Sequence, residues 1–142
     1  MAKFSFWDKL KPKSRDKAKQ KTTTDVTFQN TVCHVPWNLR TQERDGSVSS
    51  WEEIEACILG MFADSDEFVT LTAGEAPYHI RFVQAAQTDR GIDLELGIEE
   101  GDKTRLMGKD CSQKECMEAF REFYNTLNVW DRTGYKPVEF FV

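Results

Sequence analysis

An α+β fold, with two main helices packed on one face of an antiparallel meander sheet of four to five strands, follows from three features of this sequence. First, Tyr78–Phe82 and Ile92–Ile98 alternate apolar and polar residues with period two on either side of Thr88-Asp89-Arg90-Gly91, the pattern of an antiparallel hairpin. Second, Trp51, Ile54, Cys57, Ile58, Met61 and Phe62 recur with the spacing of one helical face. Third, Cys116, Ala119, Phe120, Phe123, Tyr124 and Leu127 do the same. With 142 residues the chain can bury a core without disulfides or metal. Residues 25–142 are therefore predicted to form a single α+β domain.

Residues 1–24 divide into an aromatic head, Phe4 to Leu10, and a basic polar run with little to bury, predicted to be flexible. Phe4, Trp7 and Leu10 share a helical face that suits weak docking on the body, on a partner or on an anionic membrane surface. From Asp25 to Val35, Val and Phe interleaved with Thr predict a strand that Pro36 ends. Asn38 to Val48 is polar, contains Asp45-Gly46 and reads as a loop.

A helix over 50–62 follows, because Ser49 or Ser50 can cap it while a glutamate three residues on returns the bond. Asp64 to Asp66 stop it. Glu67–Thr72 is rich in β-branched residues and reads as a strand, and Ala73 to Pro77 turns the chain into the hairpin. Within the hairpin, Tyr78, Ile80, Phe82, Ile92, Leu94, Leu96 and Ile98 should face the helices. His79, Arg81, Asp93 and Glu95 should face water or a partner. Glu99 to Asp102 form an acidic turn, and Lys103–Lys109 a weaker strand. Ser112-Gln-Lys-Glu115 is a capping box for the second helix, after which Val129-Trp130 and Pro137–Val142 suit a closing edge strand or an extended arm.

Catalytic patterns are scarce. The sequence contains no Gly-rich phosphate loop, no His-Glu-x-x-His, no Gly-x-Ser-x-Gly and no Cys-x-x-Cys. His34 and His79 are the two histidines. Cys33, His34, Cys111 and Cys116 count to four zinc ligands, but the spacing lacks a close ligand pair on one side and an adjacent Cys-His pair seldom turns both side chains to one ion. Cys111, just before a helix start, has the position of an activated thiol, and its partner base would have to be a histidine. Carboxylates at Asp93 and Glu95, at Glu99, Glu100 and Asp102, and at Asp64, Asp66 and Glu67 read first as a solvated face, second as recognition of a basic partner, and last as hydrolytic pairs or a divalent-cation site. No metal, cofactor or enzymatic activity is expected.

Charge favours recognition. Residues 1–21 carry eight Lys/Arg against two Asp, while the remaining residues carry eleven Lys/Arg against twenty-two Asp/Glu. A body of that sign repels nucleic acid and attracts basic proteins. The chain has no apolar run of about 18 residues or more and no signal-peptide core, so a cytoplasmic location with reduced cysteines is expected.

The order of a capped helix, Phe68-Val-Thr-Leu71, Tyr78-His-Ile-Arg-Phe-Val-Gln84, Leu94-Glu-Leu96, a turn, and a Ser-x-x-Glu helix containing Ala119-Phe-Arg-Glu-Phe-Tyr124 resembles small bacterial immunity proteins of polymorphic toxin systems. It is also similar to secretion-chaperone-like domains of the YbjN type. The resemblance spans roughly residues 50–130 and is one of hydrophobic pattern. It implies a non-enzymatic inhibitor that binds a cognate toxin domain, and alternatively an adaptor that holds a protein client. The resemblance carries over no functional residues; the acidic body and the polar hairpin face make Asp93, Glu95, Glu99, Glu100, Asp102, Asp64, Asp66, Glu67, His79 and Arg81 the expected contact residues, and a basic toxin domain the expected partner. Oligomeric state is left open.

Overall fold

The computed structural model describes residues 35–64 and 67–138. In chain order the elements are β1 (Trp37–Arg40), β2 (Asp45–Val48), α1 (Trp51–Ala63), β3 (Phe68–Ala73), β4 (Ile80–Thr88), β5 (Gly91–Glu100), β6 (Lys103–Cys111), α2 (Gln113–Thr126) and β7 (Lys136–Pro137). The strands form one antiparallel sheet in the order β2-β1-β3-β4-β5-β6-β7, with both helices on one face. The α+β class is as the sequence predicts, but seven strands among the described residues replace the expected four to five. The aromatic head, most of the Asp25–Val35 strand, Cys33, His34, Asp66 and the last four residues lie outside the described residues.

The undercount arises mainly at residues 38–48, which read as a loop and instead form the β1–β2 hairpin. Each strand is four residues long, so alternation has only Trp37 and Leu39 to show, both buried against the helices. Register comes from a neighbour: Trp37 pairs with Ala73 and Leu39 with Leu71 of β3. The hairpin turn is closed by the Thr41 amide donating to the Arg44 carbonyl at 2.9 Å and the Gln42 amide donating to Glu67 Oε1 at 2.9 Å. Tertiary pairing thus overrides a polar local sequence.

Both helices begin as their caps dictate. Ser50 Oγ accepts from the Glu53 amide at 3.3 Å, and the Glu53 carboxylate accepts from the Ser49 amide at 3.4 Å. At α2 the box is complete, with the Glu115 amide donating to Ser112 Oγ at 3.1 Å and the Ser112 amide to Glu115 Oε1 at 3.0 Å. Helix α1 buries Ile54, Ile58 and Met61, and α2 buries Cys116, Ala119, Phe120 and Phe123. Phe120 and Phe123 are fully buried, and such a side chain contributes roughly 1.5–3 kcal/mol. Trp37 meets Phe123 edge to face with ring centroids 5.2 Å apart, joining sheet to helix.

The central hairpin departs from simple alternation. Ile80 pairs with Ile98, yet Phe82 pairs with Gly97, so a bulge at Arg81 absorbs one residue. From there the faces exchange. Val83 and Ala85 join the core under the helices, whereas Phe82 lies on the opposite face, its ring where a Cβ on Gly97 would come within 2.2 Å. Phe82 is therefore corrected from the helix side to the far side. At the start of the hairpin, His79 takes a φ of 72°, which ends the alternation and leaves Tyr78 46% exposed rather than packed.

That far face is not a solvated surface over its centre. Asp93 and Glu95, expected to point to water, are 4% and 0% exposed. Thr70, Gln84, Glu95 and Gly108 pair in one row across β3 to β6. Thr70 Oγ1 donates to Gln84 Oε1 at 3.3 Å, and Gln84 Nε2 donates to Glu95 Oε1 at 2.8 Å. Buried polar groups persist where hydrogen bonds replace water. Phe68, Phe82, Ala86 and Leu106 are buried around the row, and the Val138 side chain reaches over Gly108.

Two outcomes test this packing. Gly97→Ala should drive a methyl into the Phe82 ring and lower the unfolding free energy by about 1–3 kcal/mol, read from urea denaturation. The Glu115 carboxyl is held below its ordinary pKa, first by the Ser112 amide and then by the Lys109 charge. Because the folded value is depressed, its contribution is complete above the ordinary glutamate pKa and is lost as pH falls through the lowered value. Glu115→Gln, which keeps a capping amide, should lose less stability than the parent on acidification below about pH 5.

Candidate functional site

The antiparallel sheet separates the acidic residues that the sequence groups together. Glu67 precedes Phe68, whose row across the sheet contains Ala86 and Asp93, while Glu100 lies at the other end of β5 against Lys103. Asp93 and Glu100 are seven residue steps apart along β5, about 23 Å at roughly 3.3 Å per residue. Asp64 and Glu67 therefore sit beside the β1–β2 turn at one end of the sheet, and His79, Arg81, Glu99, Glu100 and Asp102 at the other. Asp93 and Glu95 are buried between the two ends.

The second end is the more organised. The Arg81 guanidinium donates from Nε to Glu99 Oε2 at 2.7 Å and from Nη1 to the Ala73 carbonyl at 2.7 Å, tying the end of β3 and the β4 bulge to the end of β5. The Glu99 amide donates to the His79 carbonyl at 2.7 Å, which fixes the left-handed residue. Arg105 pairs with Glu100 at 3.2 Å. Two carboxylates of the acidic turn are thus matched by arginines, while Asp102 at the tip of the turn and Glu75 in the preceding loop are exposed.

Two aromatic rings stand on the same end. Tyr78 and Trp130 lie with centroids 5.4 Å apart at an interplanar angle of 57°, and Trp130 is 61% exposed. The segment carrying Trp130 is held firmly by hydrogen bonds. The Trp130 amide donates to Glu122 Oε2 at 3.1 Å, Asn128 Oδ1 accepts from the Val129 amide and from Arg132 Nη2, each at 2.9 Å, and Arg132 Nε donates to the Val129 carbonyl at 2.8 Å. The rings are presented on a stiff base, a geometry that limits the ordering cost of binding.

Sequence reasoning missed this pair. Tyr78 belongs to the alternating run, and only the positive φ of His79 removes it from the core. Trp130 carried the weaker signal of an aromatic outside any periodic stripe, next to Asp131-Arg132.

The arrangement does not assemble a cysteine-histidine pair from the described residues. Cys111 pairs with Ile92 and Ile80 with Ile98, so His79 and Cys111 are separated by about 20 Å of sheet at 3.3 Å per residue. Among the described residues no group of three or more His, Cys, Asp or Glu side chains is placed to hold a metal ion. No described helix is long and apolar enough to cross a membrane. Comparisons of the chain with family models, with curated proteins and with solved structures give no match.

Arg81→Ala should remove both clamps on this end. Its ion pair with Glu99 is about a third exposed, with side chains 32% and 36% accessible, so solvent screening limits the loss to about 1 kcal/mol in urea denaturation. Faster amide hydrogen exchange at His79 to Phe82 should accompany it, localising the effect to the bulge.

Proposed function

We propose that this protein acts by binding another protein, as a non-enzymatic immunity protein that neutralises a cognate toxin domain, and that the end of the sheet bearing Tyr78 and Trp130 is its contact surface. The observation that carries the reading is the exposed aromatic pair on a hydrogen-bonded segment. Tyr and Trp anchors held in place before association are the side chains from which binding hot spots are built. Glu75 and Asp102 are exposed at the same end beside the Arg105–Glu100 ion pair, and exposed carboxylates of this kind steer a basic partner.

This reading moves the contact surface from where the sequence suggested. Asp93 and Glu95 lie in the buried row and leave the surface to the residues at the strand end. His79, Arg81 and Glu99 then act by shaping that end, and Asp102 and Glu100 by charge.

The test is binding to the toxin domain encoded beside this gene, followed by interferometry. Trp130→Ala should weaken the complex by roughly 2 kcal/mol, about thirtyfold, mainly through faster dissociation. Glu100→Lys with Asp102→Lys should instead slow association and flatten its salt dependence. A toxin domain that does not bind the parent protein would exclude the proposal.

A further inference from the structure

The turn from β6 into α2 brings two thiols together. Ser112 is the N-cap of α2, so Cys111 stands one residue before the cap and Cys116 is the fourth residue of the helix. Those are the two positions whose side chains pack together in a hydrophobic staple. Here both staple positions are cysteines, and both side chains pack against the same helix-side core. Both are free thiols, with Cys116 fully buried and Cys111 partly open to solvent.

We infer that Cys111 and Cys116 form a peroxide-sensitive dithiol, in which Cys111 is oxidised by a small hydroperoxide and Cys116 resolves it to an intrachain disulfide. Exposure sets their roles: Cys111 is open to a small hydroperoxide from solvent, while Cys116 is buried behind it. The proximity of the Cys116 thiol lowers the Cys111 pKa, and Cys116 is pushed up by that proximity and by burial. Tyr135 is buried within electrostatic reach of both sulfurs, and Lys109 Nζ sits 4.7 Å over its ring. Cys57, on α1, has its pKa raised chiefly by burial and offers an internal comparison.

The chemistry balances in two steps. The Cys111 thiolate attacks the terminal hydroperoxide oxygen, forming an S–O bond and breaking the O–O bond; with one proton from solvent the products are a sulfenic acid and an alcohol or water. The Cys116 sulfur then attacks the sulfenic sulfur, forming the S–S bond, while the hydroxyl departs as water with the Cys116 proton. Sulfur is oxidised by two electrons and the peroxide is reduced by two.

Reduced full-length protein treated with hydrogen peroxide, blocked with an alkylating reagent and digested with trypsin tests this directly, because cleavage after Lys109, Lys114 and Arg121 puts the two cysteines on separate peptides. The expected product is a reductant-sensitive link between the 110–114 and 115–121 peptides, formed roughly tenfold faster than Cys57 is oxidised. Cys116→Ser should leave Cys111 as a sulfenic acid captured by dimedone, and urea should abolish the preference over Cys57. Oxidation of Cys57 or Cys33 at the same rate without the 111–116 link, or an undiminished preference in urea, would overturn the inference.

Discussion

One additional residue in β4 organises much of this protein. Because Arg81 is absorbed in a bulge, the strand enters the sheet with Ile80 toward the helices and continues with Val83 and Ala85 on that face, while Phe82 passes to the other. A slip of one residue exchanges the two faces of a strand. The bulge is held open by Arg81 itself, whose guanidinium bonds the Glu99 carboxylate and the Ala73 carbonyl. The same residue therefore controls core composition and the shape of the sheet end.

The far face shows the consequence. Phe82 lies on Gly97, where the missing side chain makes room for the ring, and its neighbours in the sheet include the buried Thr70, Gln84 and Glu95 row. An aromatic over a strand glycine is a recognised way to pin register. Carboxylates that look solvent-directed by alternation are drawn into the interior, and the acidic surface is displaced to the turns. The exposed aromatic pair occupies one such end, beside Asp102 and Glu75, and the paired thiols occupy the other.

Helices were legible because their information is local. Ser50 with Glu53 and Ser112 with Glu115 cap them within four residues, and the 3.6-residue period of Ile54, Ile58 and Met61, or of Cys116, Phe120 and Phe123, survives packing unchanged. The long alternating strand β5 was equally legible, as was its turn with β4. The short β1–β2 hairpin was not, since four polar-rich residues per strand acquire their identity from pairing with β3. Of the candidate residues, Asp102 lies in the turn that the sequence predicts, whereas Glu99 and Glu100 prolong β5 beyond the expected strand and Arg81 sits in the bulge rather than on a regular strand face. Tyr78 and Trp130 meet across segments fifty-two residues apart in sequence, and no local pattern encodes such a contact.

The amino-acid order alone establishes an α+β domain, its two capped helices, its central hairpin and a strongly acidic body, because periodicity, capping and charge are properties of neighbouring residues. Which face each side chain occupies came from the assembled sheet. A single bulge and one left-handed residue, His79, inverted the assignments of Phe82 and Tyr78, and burial removed Asp93 and Glu95 from the surface. Register and burial depend on contacts between distant strands, so which side chains reach the surface belongs to the tertiary structure.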